Sequence, residues 1–147
     1  MISFIYDTSL GDTRIGLLDN QTKPLQHWLR QVAAHYNFTV GALTYILCTD
    51  EKELAVNREF LGHDYYTDVI TFDYSTPHCV TGDVFISWDM IRSNAAEVGT
   101  DAEHELLRIL AHGLLHLTGQ GDKTPETKAE MTRKEDHALS LYSSHPL

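Results

Sequence analysis

HGLLHLTGQGD, residues His112–Asp122, is the stretch from which the rest of the chain can be read. Two histidines four residues apart on a helix share one face, with Cβ atoms about 6 Å apart, close enough to grip one ion. Three residues beyond the second histidine stands Gly119. Glycine takes positive φ cheaply, so it can end the helix in a left-handed cap and reverse the chain. The reversal predicts that Asp122 returns toward His112 and His116. Two imidazole nitrogens, one carboxylate oxygen and an open position make the ligand count of a catalytic zinc site.

Outward from that segment, the sequence predicts a long helix from Thr100 to about Gly119. Its apolar residues (Leu106, Leu107, Ile109, Leu110, Leu114, Leu115 and Leu117) cover most of its circumference, so it reads as the central buried helix. Glu105, Arg108, His112 and His116 form one polar stripe along it. A buried polar group without a partner costs about 1–3 kcal/mol, so the stripe must be satisfied. One metal would satisfy both histidines together. The competing reading is two histidines hydrogen-bonded separately within the core, and the glycine and carboxylate that follow favour the metal.

The flanking chain supplies a sheet and further helices. MISFIYD reads as a first strand, and Thr22-Lys23-Pro24 opens a helix carrying Leu25, Trp28, Leu29, Val32, Ala33 and Tyr36. Val40, Thr44, Tyr45 and Ile46 point to a strand over 39–48. Asp50 and Glu53 resemble a capping pair before a helix that runs to about Leu61. GHDYYTD is turn-like and leads into the strand VITFDY, which Thr76-Pro77 breaks. Gly82-Asp83 then introduces the strand VFISW, with Asp83 a structural residue at its start. Asp89 caps a helix that stops at Gly99. Thr124-Pro125-Glu126 starts a C-terminal helix through Met131 and Leu139. The order β-α-β-α-β-β-α-α-α predicts an α/β (α+β) fold: a small mixed four-stranded sheet packed with about five helices around the metal-binding one.

The chain has 147 residues, 42% of them hydrophobic, enough for one globular domain spanning 1–147. No apolar run reaches the length of a membrane helix, and no secretory signal is visible, so a cytoplasmic location is expected. Cys48 and Cys79 form no CxxC pair and read as reduced thiols. A net charge of −10 argues against broad, non-specific nucleic-acid binding, which relies on Lys and Arg. A local basic groove or a protein partner remains compatible with it.

The spacing resembles the metzincin signature HExxHxxGxxH with two departures: Gly113 replaces the glutamate base, and Asp122 replaces the third histidine. Without that glutamate the chain makes a poor peptidase. HGLLHLTG, preceded by GDVFIS and by NREFLGHDYYTDVITF, is similar to the YbeY family of bacterial rRNA maturation factors. The resemblance covers roughly residues 39–140. It implies a zinc-dependent, single-strand-specific endoribonuclease acting on rRNA in ribosome maturation and quality control, with RNA and ribosomal proteins as partners. His112, His116 and Asp122 would then hold one Zn2+ and act through its water, the general base being unassigned.

Two positions depart from the family pattern. Aspartate at 122 adds negative charge at the metal, and a two-histidine, one-carboxylate set also resembles iron sites. Leu61 follows Asn57 and Phe60 where the family usually places an arginine thought to engage RNA phosphate, and Arg58 and His63 are the nearby substitutes. Thr67 and Asp68 can serve the metal loop or simply cap a turn. His63, His78, His104, His137 and His145 read as solvated surface histidines. Lys123, Lys128, Arg133 and Lys134, with Glu126, Glu130 and Glu135, read as a solvated helix face. The alternative to the nuclease is a ribosome-assembly binding factor whose metal is structural or weakly catalytic. A peptidase-like hydrolase is the third reading.

Overall fold

The structure, a computed structural model, describes residues 1–63 and 67–143. GHDYYTD therefore lies partly outside the described residues, and His145 wholly so. The strands are β1 (Ile2–Tyr6), β2 (Thr39–Cys48), β3 (Val69–Asp73) and β4 (Cys79–Ser87). The helices are α1 (Gly16–Asn20), α2 (Thr22–His35), α3 (Asp50–Leu61), α4 (Trp88–Val98), α5 (Ala102–Leu117) and α6 (Pro125–Ser143), with a 3-10 turn at Thr8–Leu10.

The strands form one mixed sheet in the order β1-β2-β4-β3. β1 and β2 pair in parallel, as do β2 and β4, while β3 runs antiparallel to β4. β3 is thus an edge strand. Successive strand residues face opposite sides of a sheet. Val84 faces α5 and Tyr45 donates its hydroxyl to the Leu110 carbonyl at 2.7 Å. Phe72 and Phe85 face the other side, where Phe60 of α3 meets Phe72 edge-on. The central helix therefore packs on one face of the sheet, and α3 covers part of the other near the β3 edge. α6 closes over α5, tied to α2 by the Trp28 indole, which donates to the Ala138 carbonyl at 2.7 Å.

The mixed sheet and the buried central helix match the sequence expectation, with six α-helices where about five were expected. Several boundaries move. β4 begins at Cys79, so Gly82 and Asp83 lie within the strand rather than before it. Gly82 marks a close approach: a Cβ there would sit 2.4 Å from the Phe72 carbonyl and 3.2 Å from Leu117. The caps fall one or two residues earlier or later than the pattern suggested. Thr49 rather than Asp50 caps α3, Ser87 rather than Asp89 caps α4, and α5, capped by Asp101, begins at Ala102 rather than Thr100. Thr124 does receive the Thr127 amide at 3.1 Å before α6. Cys48 and Cys79 are both free thiols.

Glu53 is not half of a capping pair but a buried acid, 1% exposed, with neither carboxyl oxygen hydrogen-bonded. A helix N-terminus favours negative charge by about 0.3–1 kcal/mol, whereas removing an unpaired charge from water costs several kcal/mol. Burial wins. It pushes the acid from 4.5 up to about 9, helped by the charges of Asp68 and Asp50 and opposed by the Ser87 amide. That amide is already given to the Asp68 carbonyl at 3.0 Å.

Above the ordinary glutamate value the unfolded chain releases this proton while the folded protein keeps it. Glu53 therefore lowers stability progressively as pH rises from about 4.5 to about 9. Glu53→Gln should gain in unfolding midpoint over the wild type across that window, read by thermal melts at several pH values. A gap independent of pH would contradict the assignment.

Candidate metal centre

α5 ends at Leu117, and Gly119 follows the Thr118 cap with φ 98°. Its amide donates to the His116 carbonyl at 3.0 Å, and that of Gln120 to the Leu115 carbonyl at 3.1 Å. These two bonds form a Schellman motif, which uses up helix-end carbonyls and turns the chain back. The buried Gln120 side chain then pins the turn, donating to the carbonyls of Gly121 at 2.9 Å and Thr127 at 3.3 Å. Asp122 arrives with Oδ2 at 3.4 Å from His116 Nε2 and 3.6 Å from His112 Nε2. The two imidazoles stand nearly perpendicular, with centroids 4.5 Å apart.

The other ring nitrogens are already committed. His112 Nδ1 donates to Glu135 Oε2 at 2.6 Å, and His116 Nδ1 to the Gln120 carbonyl at 3.0 Å. Each bond selects the tautomer in which Nε2 is the lone-pair nitrogen. Glu135 is itself held by Arg108, which gives one guanidinium nitrogen to it at 2.8 Å and another to Asp136 at 2.7 Å. Burial pulls His112 down, but the Glu135 hydrogen bond and charge, aided by Asp68 and Asp122, leave it above the ordinary histidine value. His116 moves down through burial and the neighbouring His112, with Asp122 and Gln120 opposing only in part.

The ligand atoms of His112, His116 and Asp122 all lie within 4.8 Å of one another. Two outward-facing imidazole nitrogens aimed at a carboxylate fit a divalent cation, and among the described residues no other such group of three exists. The three side chains open onto a cleft of about 360 Å³, bounded by Asn57, Leu61 and His63 on one side and Thr67–Thr71 along the β3 edge.

Other sequence candidates divide clearly. Thr67, Asp68, His63 and Lys123 line the cleft, so Lys123 is not merely part of a solvated helix face. Leu61 lines it too, whereas Arg58 does not. Asp83 sits mid-strand beside Phe60, Phe72 and Phe85 on the far side of the sheet, away from the trio. Glu105 is half-buried outside the cleft. His137 packs against His35, with ring centroids 4.4 Å apart, rather than standing alone in solvent. His78 and His104 are exposed, as are Lys128, Arg133 and Glu126. Lys134 pairs with Glu130 at 3.5 Å. The clearest miss is Glu135, which is buried and functional in geometry. It lies 23 residues from His112, and only the packing of α6 on α5 reveals the link.

A family model described as Endoribonuclease YbeY matches residues 11–143. The chain belongs to the YbeY family. It is similar to the Endoribonuclease YbeY of Phocaeicola vulgatus, 46% identical over 125 residues, covering 85% of this chain and 91% of that protein. It is likewise similar to the protein of the same name from Cytophaga hutchinsonii, 48% identical over 122 residues, with 82% and 85% covered. The solution structure of TM1509 from Thermotoga maritima is 26% identical, with a TM-score of 0.65 over 99% of this chain and 94% of that one.

Removing the partner of a ligand histidine typically weakens metal binding about 10–100-fold. Glu135→Gln should therefore lose divalent-metal affinity by about that factor in a chelator competition, with bound-metal stoichiometry recovering at high metal. Unchanged affinity would show that the carboxylate does not orient His112.

Proposed function

We propose that this protein is a zinc-dependent endoribonuclease that cleaves single-stranded RNA in ribosomal RNA maturation and quality control. One observation carries the reading: three convergent donors, with no fourth protein ligand in the group among the described residues, open onto a cleft. A structural zinc normally takes four protein ligands, whereas three leave room for a reactant. His112, His116 and Asp122 would hold one Zn2+, which when bound supplies a Lewis acid for phosphodiester hydrolysis. We favour zinc because the donors come from one helix and the turn that follows it.

The chain itself supplies the rest. Glu135 and the Gln120 carbonyl hold the imidazoles in one tautomer, which pre-orients the ligands. Lys123 and His63 both line the cleft, the first offering a positive group and the second a hydrogen-bonding one to a phosphate. The name its relatives carry, Endoribonuclease YbeY, supports RNA as substrate. A single domain over 1–147, a cytoplasmic location and ribosomal protein partners belong to the same reading. No helix among the described residues is long and apolar enough to cross a membrane.

A second reading is a ribosome-assembly binding factor, favoured by apolar Leu61 in the cleft wall and by the net charge of −10. The exposed Phe60 and Tyr74 offer a surface for a protein partner on the far side of the sheet.

The two separate on one assay. Zinc-loaded wild type should cut a single-stranded RNA and spare a duplex of the same sequence, and His116→Ala should lose at least about 100-fold of that rate. Equal rates for wild type and variant would identify a contaminating nuclease and support the binding-factor reading.

A further inference from the structure

The fold dictates where a proton acceptor for hydrolysis cannot stand. In peptidases with this ligand spacing a glutamate follows the first histidine, and here that position is Gly113. It is buried against the sheet: a Cβ there would sit 2.8 Å from Val84 Cγ1 and 3.7 Å from the Tyr45 ring. A longer side chain at 113 would be driven into β4, away from the cleft. Any acceptor has to enter from another element.

Asp68 does so. Apart from the ligand Asp122, it is the carboxylate among the described residues lining the cleft. Its backbone is anchored to the sheet, with the carbonyl receiving the Ser87 amide at 3.0 Å, immediately before the Val69–Ile86 pair. A residue whose backbone is tied to a sheet edge is positioned more precisely than one far out on a loop. Its carboxylate is also near enough to His112 to act on that imidazole electrostatically. Glu53, near enough to feel the charge of Asp68, is a buried acid that burial keeps protonated at neutral pH.

We propose that Asp68 is the catalytic base, accepting the proton of the water that attacks the phosphodiester. This rests on the endoribonuclease reading above. An O–H bond of water breaks and its proton passes to an Asp68 carboxyl oxygen. The water oxygen forms a bond to phosphorus as the bond from phosphorus to the leaving ribose oxygen breaks. A proton, from Asp68 or solvent, ends on that leaving oxygen. Water is the only co-reactant, and the products are a phosphomonoester end and a hydroxyl end.

The test compares zinc-loaded wild type with Asp68→Asn and Asp68→Ala on one single-stranded RNA. Bound zinc is measured by elemental analysis, RNA affinity by fluorescence anisotropy and folding by thermal melts. The isosteric asparagine keeps the site filled should alanine disturb the fold. Both variants should lose about 10²–10⁴-fold in cleavage rate while retaining bound zinc and RNA affinity. Added formate should restore part of the rate to Asp68→Ala and none to Asp68→Asn. Wild-type rates in the variants, loss of bound zinc, or a lowered rate that formate cannot restore would each overturn the role of Asp68. Cleavage by the wild type with undiminished variants sinks this proposal alone, whereas a wild type that leaves RNA intact sinks the nuclease reading and this proposal with it.

Discussion

A helix buried on nearly every side cannot carry a polar stripe unless each member finds a partner. α5 carries Arg108, His112 and His116 at successive turns, and leaving one such group unsatisfied costs about 1–3 kcal/mol. Partners arrive from outside the helix: Glu135 and Asp136 from α6, and the Gln120 carbonyl from the terminating turn. Satisfying the inner nitrogens leaves the outer ones pointing at Asp122. The requirement that holds α6 onto α5 is thus the same one that prepares a cation site.

Charge tells a consistent story. Glu135 is paired with Arg108, and Glu53 sheds its charge through burial, so among the described residues the acids left facing the cleft are Asp68 and Asp122. A divalent cation would offset both. The same acids act on His112, whose raised proton affinity reflects Glu135, Asp68 and Asp122 acting together against burial. The −10 net charge of the chain therefore does not describe the cleft, where Lys123 and a bound dication would set the local field.

Much of this was legible from spacing alone. The HxxxHxxGxxD pattern contains its own geometry: helix pitch aligns the histidines, and glycine at positive φ returns the aspartate. The order of strands and helices along the chain and the buried helix followed from periodicity, whereas the strand order within the sheet did not. Contacts between distant segments were not legible. Glu135 looked like one more charge on a solvated helix, because nothing local to α6 reveals the face that meets α5. Gly82 looked like the lead-in to a strand, although it lies within β4 where Leu117 and the Phe72 carbonyl come close. The caps of α3 and α4 shifted because several residues in each stretch can accept an amide, and tertiary packing chooses among them.

The site depends on Asp122 completing a three-residue ligand set with His112 and His116. X-ray absorption at the zinc edge of the loaded protein measures it directly. The account predicts two imidazole nitrogens and a carboxylate oxygen, all at about 2.0–2.2 Å, with the carboxylate contribution lost in Asp122→Ala. Identical spectra for wild type and variant would contradict it.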